Sequence, residues 1–228
     1  MSFLELRSIV AAAGLLSAVA LSSTPGVAAL EVNEDAIMRR DDSIDAHNRR
    51  VGAEIARERT RTELVHAEKL YQIAVKLEEV NASYDFELYD KLVGLLNARV
   101  ADRVANHVVV TATADEAIGE LRRSWRSGSA PVNLETLAKL MVQKRESALA
   151  LAEASLADFR QIARARKALA DITEQLARSQ LETEENRSLA VTRLERAVAE
   201  VAIWIKEVEA AKIHLQEARE DLRAVTSR

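Results

Sequence analysis

The chain contains no cysteine. That excludes disulfides, thiolate metal centres and cysteine nucleophiles, and leaves the redox compartment open. Only six glycines and two prolines occur in 228 residues, too few for a turn-rich fold. No glycine-rich phosphate loop and no Gly-x-Ser-x-Gly elbow is present. Aromatic residues make up 4% of the chain, so Ala, Leu and Val carry the apolar content. Beyond the first thirty residues, no apolar run approaches the roughly 20 residues that a membrane-spanning helix needs. Neither charge sign dominates, with 32 basic and 36 acidic residues interspersed. Without a basic block, nothing points to nucleic acid.

What remains is a chain rich in Ala, Leu, Glu, Arg and Lys. These residues lose little entropy in a helix, and few helix breakers interrupt them. The expected class is all-α, with long antiparallel helices in an elongated bundle or coiled-coil hairpin.

The N-terminus has its own layout. Glu5 and Arg7 precede a 13-residue, almost wholly apolar run from Ile9 to Leu21. Pro25 and Gly26 break it, and Val27-Ala28-Ala29 places small residues before a cut. This is the layout of a secretory signal peptide over residues 1–29, with retention as an N-terminal anchor as the alternative. No cysteine follows Ala29, which argues against a lipoprotein. The mature chain is expected to be exported, to the periplasm or envelope of a bacterium or secreted by a eukaryote. Asn81-Ala82-Ser83 and Asn186-Arg187-Ser188 match the glycosylation acceptor pattern, which matters only in the eukaryotic case.

Residues 30–126 read as an N-terminal helical segment. Ile37, Ile44, Val51, Ile55 and Leu64 recur sparsely, and Leu70, Ile73, Leu77 and Val80 densely. Asn81-Ala82-Ser83 marks a break. Helix then resumes near Phe86, with the β-branched Val108-Val109-Val110-Thr111 as its end. Thr113 and Glu116 have the spacing of a capping box, which predicts a separate short helix to Arg126. Residues 127–133 form the clearest boundary. Gly128 suits the left-handed position after a helix, Pro131 cannot continue one, and Asn133 can cap the next.

Residues 134–228 contain no Gly or Pro. The polar stretch Glu182-Thr183-Glu184-Glu185-Asn186-Arg187 permits either a tight turn or a continuous helix that drifts in phase. The absence of breakers favours the continuous helix. After it comes a heptad repeat with Val191, Val198, Ile205, Lys212 and Arg219 at a, and Leu194, Val201, Val208, Leu215 and Leu222 at d. On a helix these residues share one seam that must be buried against another helix. Ala197, Trp204, Ala211 and Ala218 at g widen that stripe, as a multi-helix bundle would require. Lys212 and Arg219 either set register or extend past the rim of the seam. Ile203 and Ile213, with Ala199 and Ala210, form a second stripe on the outer face and a candidate second interface.

Candidate chemistry is sparse. The four histidines are His47, His66, His107 and His214. Glu63 and His66 match one Glu-x-x-His unit of di-iron bundles, a chemistry that needs two such units and two further carboxylates. No second unit is present, so an exposed histidine on a charged helix is the plainer reading. No catalytic, cofactor or metal residue is assigned, and the chain does not read as an enzyme.

Around the boundary, Trp125-Arg126-Ser127-Gly128 is followed by an Ala/Leu-rich stretch, Leu134 through Leu137 and on to Leu169. Over residues 100–170 this resembles the outer-membrane efflux channel family, the TolC-like proteins. The chain carries one such unit and lacks the alternating strands of a barrel. The resemblance implies an antiparallel helical hairpin of the kind found in envelope conduits.

These readings converge on an exported, non-enzymatic structural or interaction protein that acts through helix pairing with a protein partner or with itself. A conduit component, or a holdase-type chaperone or lipid-surface protein, are the alternatives. Membrane contact without a transmembrane helix stays open.

Overall fold

The computed structural model describes residues 31–80, 85–128, 131 and 133–227, with side chains from residue 44 onward. The segment expected to be a signal peptide and the Asn81-Ala82-Ser83 break lie outside the described residues. The described residues form four helices, α1 Glu31–Glu79, α2 Asp85–Arg126, α3 Leu134–Arg178 and α4 Glu184–Thr226. No strand occurs among them, and no helix is long and apolar enough to cross a membrane. The class is all-α, a bundle of long helices. The chain divides into two compact units, Met1–Met38 and Arg39–Arg228. In the first unit only helical backbone from Glu31 is described. The second holds the rest of α1 and all of α2, α3 and α4.

Cross-helix pairs give the topology of the second unit. Arg50 of α1 reaches Glu116 of α2 at 2.7 Å, and Thr60 reaches Asp102 at 3.5 Å. Arg103 of α2 pairs with Asp158 of α3, while Lys144 meets Asp115 at 2.5 Å. Glu174 of α3 pairs with Arg187 of α4, and Glu146 meets Arg219 at 2.9 Å. In each set the residue number rises along one helix as it falls along the next, so every neighbouring pair is antiparallel.

One core joins three of the helices. Val93, Leu96 and Val100 of α2 meet Phe159, Ile162 and Ala165 of α3 and Ala197 of α4. Phe159 stacks on Trp204 with ring centroids 5.8 Å apart and planes 21° apart. Such a pair contributes about 0.5–1.5 kcal/mol beyond its buried area. Trp204 therefore does for the core what a wider g stripe was expected to do.

The helix ends follow local chemistry. Gly128 takes φ 68° and its N–H donates to the Trp125 carbonyl at 3.0 Å. The Asn133 side chain accepts from the Thr136 N–H at 2.9 Å, capping α3. Both match the boundary read from the sequence.

Two expectations are corrected. Residues 134–228 are not one continuous helix. α3 closes with the Leu181 N–H donating to the Leu176 carbonyl at 2.9 Å and the Gln180 N–H to the Ala177 carbonyl at 3.0 Å. This is a Schellman closure with Gln180, not glycine, in the left-handed position at φ 58°. Thr183 then caps α4, its Oγ1 accepting from the Asn186 N–H at 3.2 Å, with Glu184 and Glu185 in the first turn. Acids at a helix N-terminus complement the helix dipole, so the polar stretch is a turn.

The second correction concerns α2, which runs unbroken through Val108–Val110. These side chains are half-buried, and their burial outweighs the weak helix propensity of β-branched residues. Thr113 makes no capping box. Its hydroxyl donates to the Val109 carbonyl at 2.9 Å within the helix, and Glu116 turns instead to Arg50 and His47.

Candidate interaction surfaces

The heptad of α4 is real, but its buried edge is displaced from the a/d frame. Among the d residues, Val208 and Leu215 are buried and Leu194, Val201 and Leu222 half-buried. Among the g residues, Ala197 and Ala218 are buried and Trp204 and Ala211 half-buried. The a residues are open: Val191, Val198 and Ile205 are all exposed, Val198 by 55%. The seam within the protein is thus d/g. The reason is size. Small alanines at g let α3 approach closely on that side, and Trp204 fills the one gap with its ring on Phe159. Val191, Val198 and Ile205 are left on a rim beside α3.

Lys212 and Arg219, the polar a residues, lean across that rim to α3. Lys212 lies 3.7 Å from Glu153, and Arg219 donates to Glu146 at 2.9 Å. Both pairs are exposed, so they orient the helix more than they stabilise it. Ile203 and Ile213, expected on a second face, are exposed as well, Ile213 by 59%.

The first helix shows a feature that sequence spacing hid. The residues that α1 buries or half-buries include Ala53, Thr60, Leu64, Ala67, Tyr71 and Ala74, a seam of mostly small or polar side chains. Apart from Leu64 and Val51, most of its larger aliphatics lie away from that seam. Ile44, Ile55, Val65, Ile73 and Val80 are all exposed. The inward place is held by small residues, with Ala53 and Ala74 buried.

Polar pairs join small apolar contacts in the half of the α2–α3 contact that lies toward the Gly128 turn, where Ala105, Ala114, Ile118, Ala138 and Ala152 are buried. Arg103 bonds Asp158, which is buried, and the Ala154 carbonyl at 3.0 Å. His107 Nδ1 lies 2.9 Å from Ser147 Oγ. Burial, and then the Lys144 charge, hold His107 below its ordinary value. On the α1 side, partial burial alone would raise the Glu116 carboxyl. Hydrogen bonds from Arg50 and His47, with their charges, outweigh it and hold it below the usual carboxylate range.

The remaining histidines have local roles. His47 Nδ1 lies 3.3 Å from Glu116, and His214 Nδ1 lies 3.2 Å from Glu217. Glu63 and His66 are both exposed. Among the described residues no group of three His, Asp or Glu side chains is placed to hold a metal ion.

A cleft of about 260 Å³ lies where α2 begins, beside the α3–α4 turn. Phe86, Leu169 and Leu189 line it with Arg166, Arg193 and Asp90. Burial, and then the Arg193 charge, lower the Arg166 guanidinium, against the pull of Asp90. Asp90 and Glu182 offset both arginines, so the cleft has no net charge to offer a ligand. Comparisons with protein-family models, with curated proteins and with solved structures find no match to this chain.

Proposed function

We propose that this chain is an exported, non-enzymatic interaction protein of the cell envelope that works by pairing helices with another protein chain. The observation that carries this reading is on α4. Val191, Val198 and Ile205 on the rim, and Ile203 and Ile213 on the outer face, are aliphatic, exposed and unused by the protein's own core. Single exposed aliphatics are ordinary, but a stripe at helical spacing is the signature of a helix-in-groove or helix–helix contact. The leader-like N-terminus supports the envelope location.

A photo-crosslinking residue at Ile203, in the living cell, tests the proposal. Capture of one defined chain, a distinct envelope protein or another copy of this one, supports it. If Ile203, Val198 and Ile213 all capture nothing, the reading falls.

A second reading, a component of an envelope conduit, comes from the resemblance to the TolC-like proteins. The antiparallel pairing of α2 and α3 around residues 127–133 favours it. A small closed oligomer that copurifies with outer-membrane proteins would support it, and an isolated monomer would remove it.

A further inference from the structure

We infer that the outer face of α4 docks on the outer face of α1 in a second copy of this chain. The inference rests on the helix-pairing reading above and names its partner. α1 is paired to α2 and α4 to α3, while Ile55, Val65 and Ile73 of α1 and Ile203 and Ile213 of α4 are exposed. Each of these helices therefore has an open outer face within one molecule.

The two faces complement each other in charge. Between Ile55 and Lys76, the α1 face carries Arg59, Lys69 and Lys76 against one acid, Glu58. The α4 face carries Glu195, Glu209, Glu217 and Glu220 against Arg196 and Lys206. Arg59, Lys69, Lys76, Glu195 and Glu209 are all exposed, and none has an ion-pair partner among the described residues.

The faces also match in level. Thr60 lies beside Asp102, Arg103 beside Asp158, and Glu153 beside Lys212. Tracing these pairs across the bundle sets each α1 residue level with an α4 residue, to within about a turn of helix. Ile55 falls level with Ile213, and Val65 with Ile203. Arg59 falls level with Glu209, and Lys69 with Glu195. An α1 helix laid antiparallel on α4 without axial shift thus sets aliphatic against aliphatic and base against acid. It also continues the up-down alternation already present in one molecule. Each copy would use two different faces, so the contact is heterologous and either closes into a ring or propagates.

The cysteine-free chain makes the test direct. Two full-length variants, Val65→Cys and Ile203→Cys, one carrying an affinity tag, are mixed and treated with a flexible bis-maleimide. Val65→Cys coupled to Ile203→Cys should be the main dimer, several-fold over either homodimer. Arg59→Glu in the first variant should reduce it several-fold, and Glu209→Arg in the second should restore it. Monomer alone, a dominant Val65→Cys homodimer, or a yield insensitive to charge reversal would each overturn the inference. Failure of the broader reading is distinguishable. If no mixed dimer forms but Ile203 captures a different protein in the cell, helix pairing stands and the second-copy contact falls. If both experiments capture nothing, both fall.

Discussion

The contact between α2 and α3 is built in two ways along its length, and the two halves divide the labour of the fold. Near the start of α2, Val93, Leu96 and Val100 close on Phe159, Ile162 and Ala165, and α4 completes the core with Ala197 and Trp204. Toward the Gly128 turn the same two helices bury mostly alanines, Ala105, Ala114, Ala138 and Ala152, with Ile118, and add the polar pairs Arg103–Asp158, His107–Ser147 and Asp115–Lys144. The apolar half gains from every atom removed from water and tolerates small slips of register. The polar pairs of the other half add little net energy, because desolvation offsets the pairing, but their bonds form at one register only. One half supplies stability and the other supplies alignment, and this contrast can be broken in steps.

The largest expected loss is in the apolar half. Leu96 is fully buried, and Leu96→Ala should cost about 2–5 kcal/mol, measured by urea unfolding of the whole chain. A loss under about 1 kcal/mol would mean that this half is not the stabilising one.

The next effect is in the polar half and turns on an asymmetry. Asp158→Ala leaves Arg103 facing a buried site without its partner. Because Arg103 is partly exposed, the cost should be about 1–3 kcal/mol, below that of a fully buried pair. Replacing both residues with methionine should be nearly neutral. If the double variant loses as much as the single one, the pair contributes stability after all and the contrast collapses.

Ser155 marks a local imperfection where α3 is enclosed. It is fully buried, and its Oγ has no hydrogen-bond partner. Ser155→Ala removes that cost and improves helix propensity, so it should stabilise by about 1 kcal/mol. A destabilisation would show that the hydroxyl is needed where it stands.

His107 gives the polar half a pH response. Its folded-state pKa lies below the ordinary 6.5. Between those two values the unfolded chain binds the proton and the folded one does not. Its contribution is therefore complete above 6.5 and declines as pH falls through that window. His107→Gln should flatten the slope of stability against pH just below 6.5, and an unchanged slope would exclude His107 as its source.

These differences explain what the sequence disclosed and what it hid. Gly128, Pro131 and Asn133 announced the first hairpin because each has one conformational use there. The second hairpin was missed because Gln180 takes a left-handed conformation that usually signals glycine. The signal present was Thr183 followed by acids in the next turn. The heptad of α4 was legible in period but not in phase. Apolar size suggested a and d, whereas close packing chose d and g, where alanines let α3 approach. In α1 the alanines Ala53 and Ala74 face inward and the isoleucines Ile44, Ile55 and Ile73 face out. Hydrophobic periodicity locates stripes; which stripe is buried depends on how closely two backbones approach, and a single chain's spacing does not state that. The exposure of Ile203 and Ile213 was readable because they lie outside the heptad seam.

The smallest expected effect tests that phase assignment most directly. Val198 at a is exposed by 55%, while Val208 at d is buried. Both are valines on the same helix, ten residues apart, so helix propensity cancels between Val198→Ala and Val208→Ala. If d and g form the seam, Val198→Ala should change stability by less than about 0.5 kcal/mol, and Val208→Ala should cost about 1–2 kcal/mol. Equal losses would return the a positions to the seam. Measuring both across a range of protein concentrations adds a further distinction. A cost at Val198 that grows with concentration belongs to a contact between chains, and a cost that does not belongs to the fold.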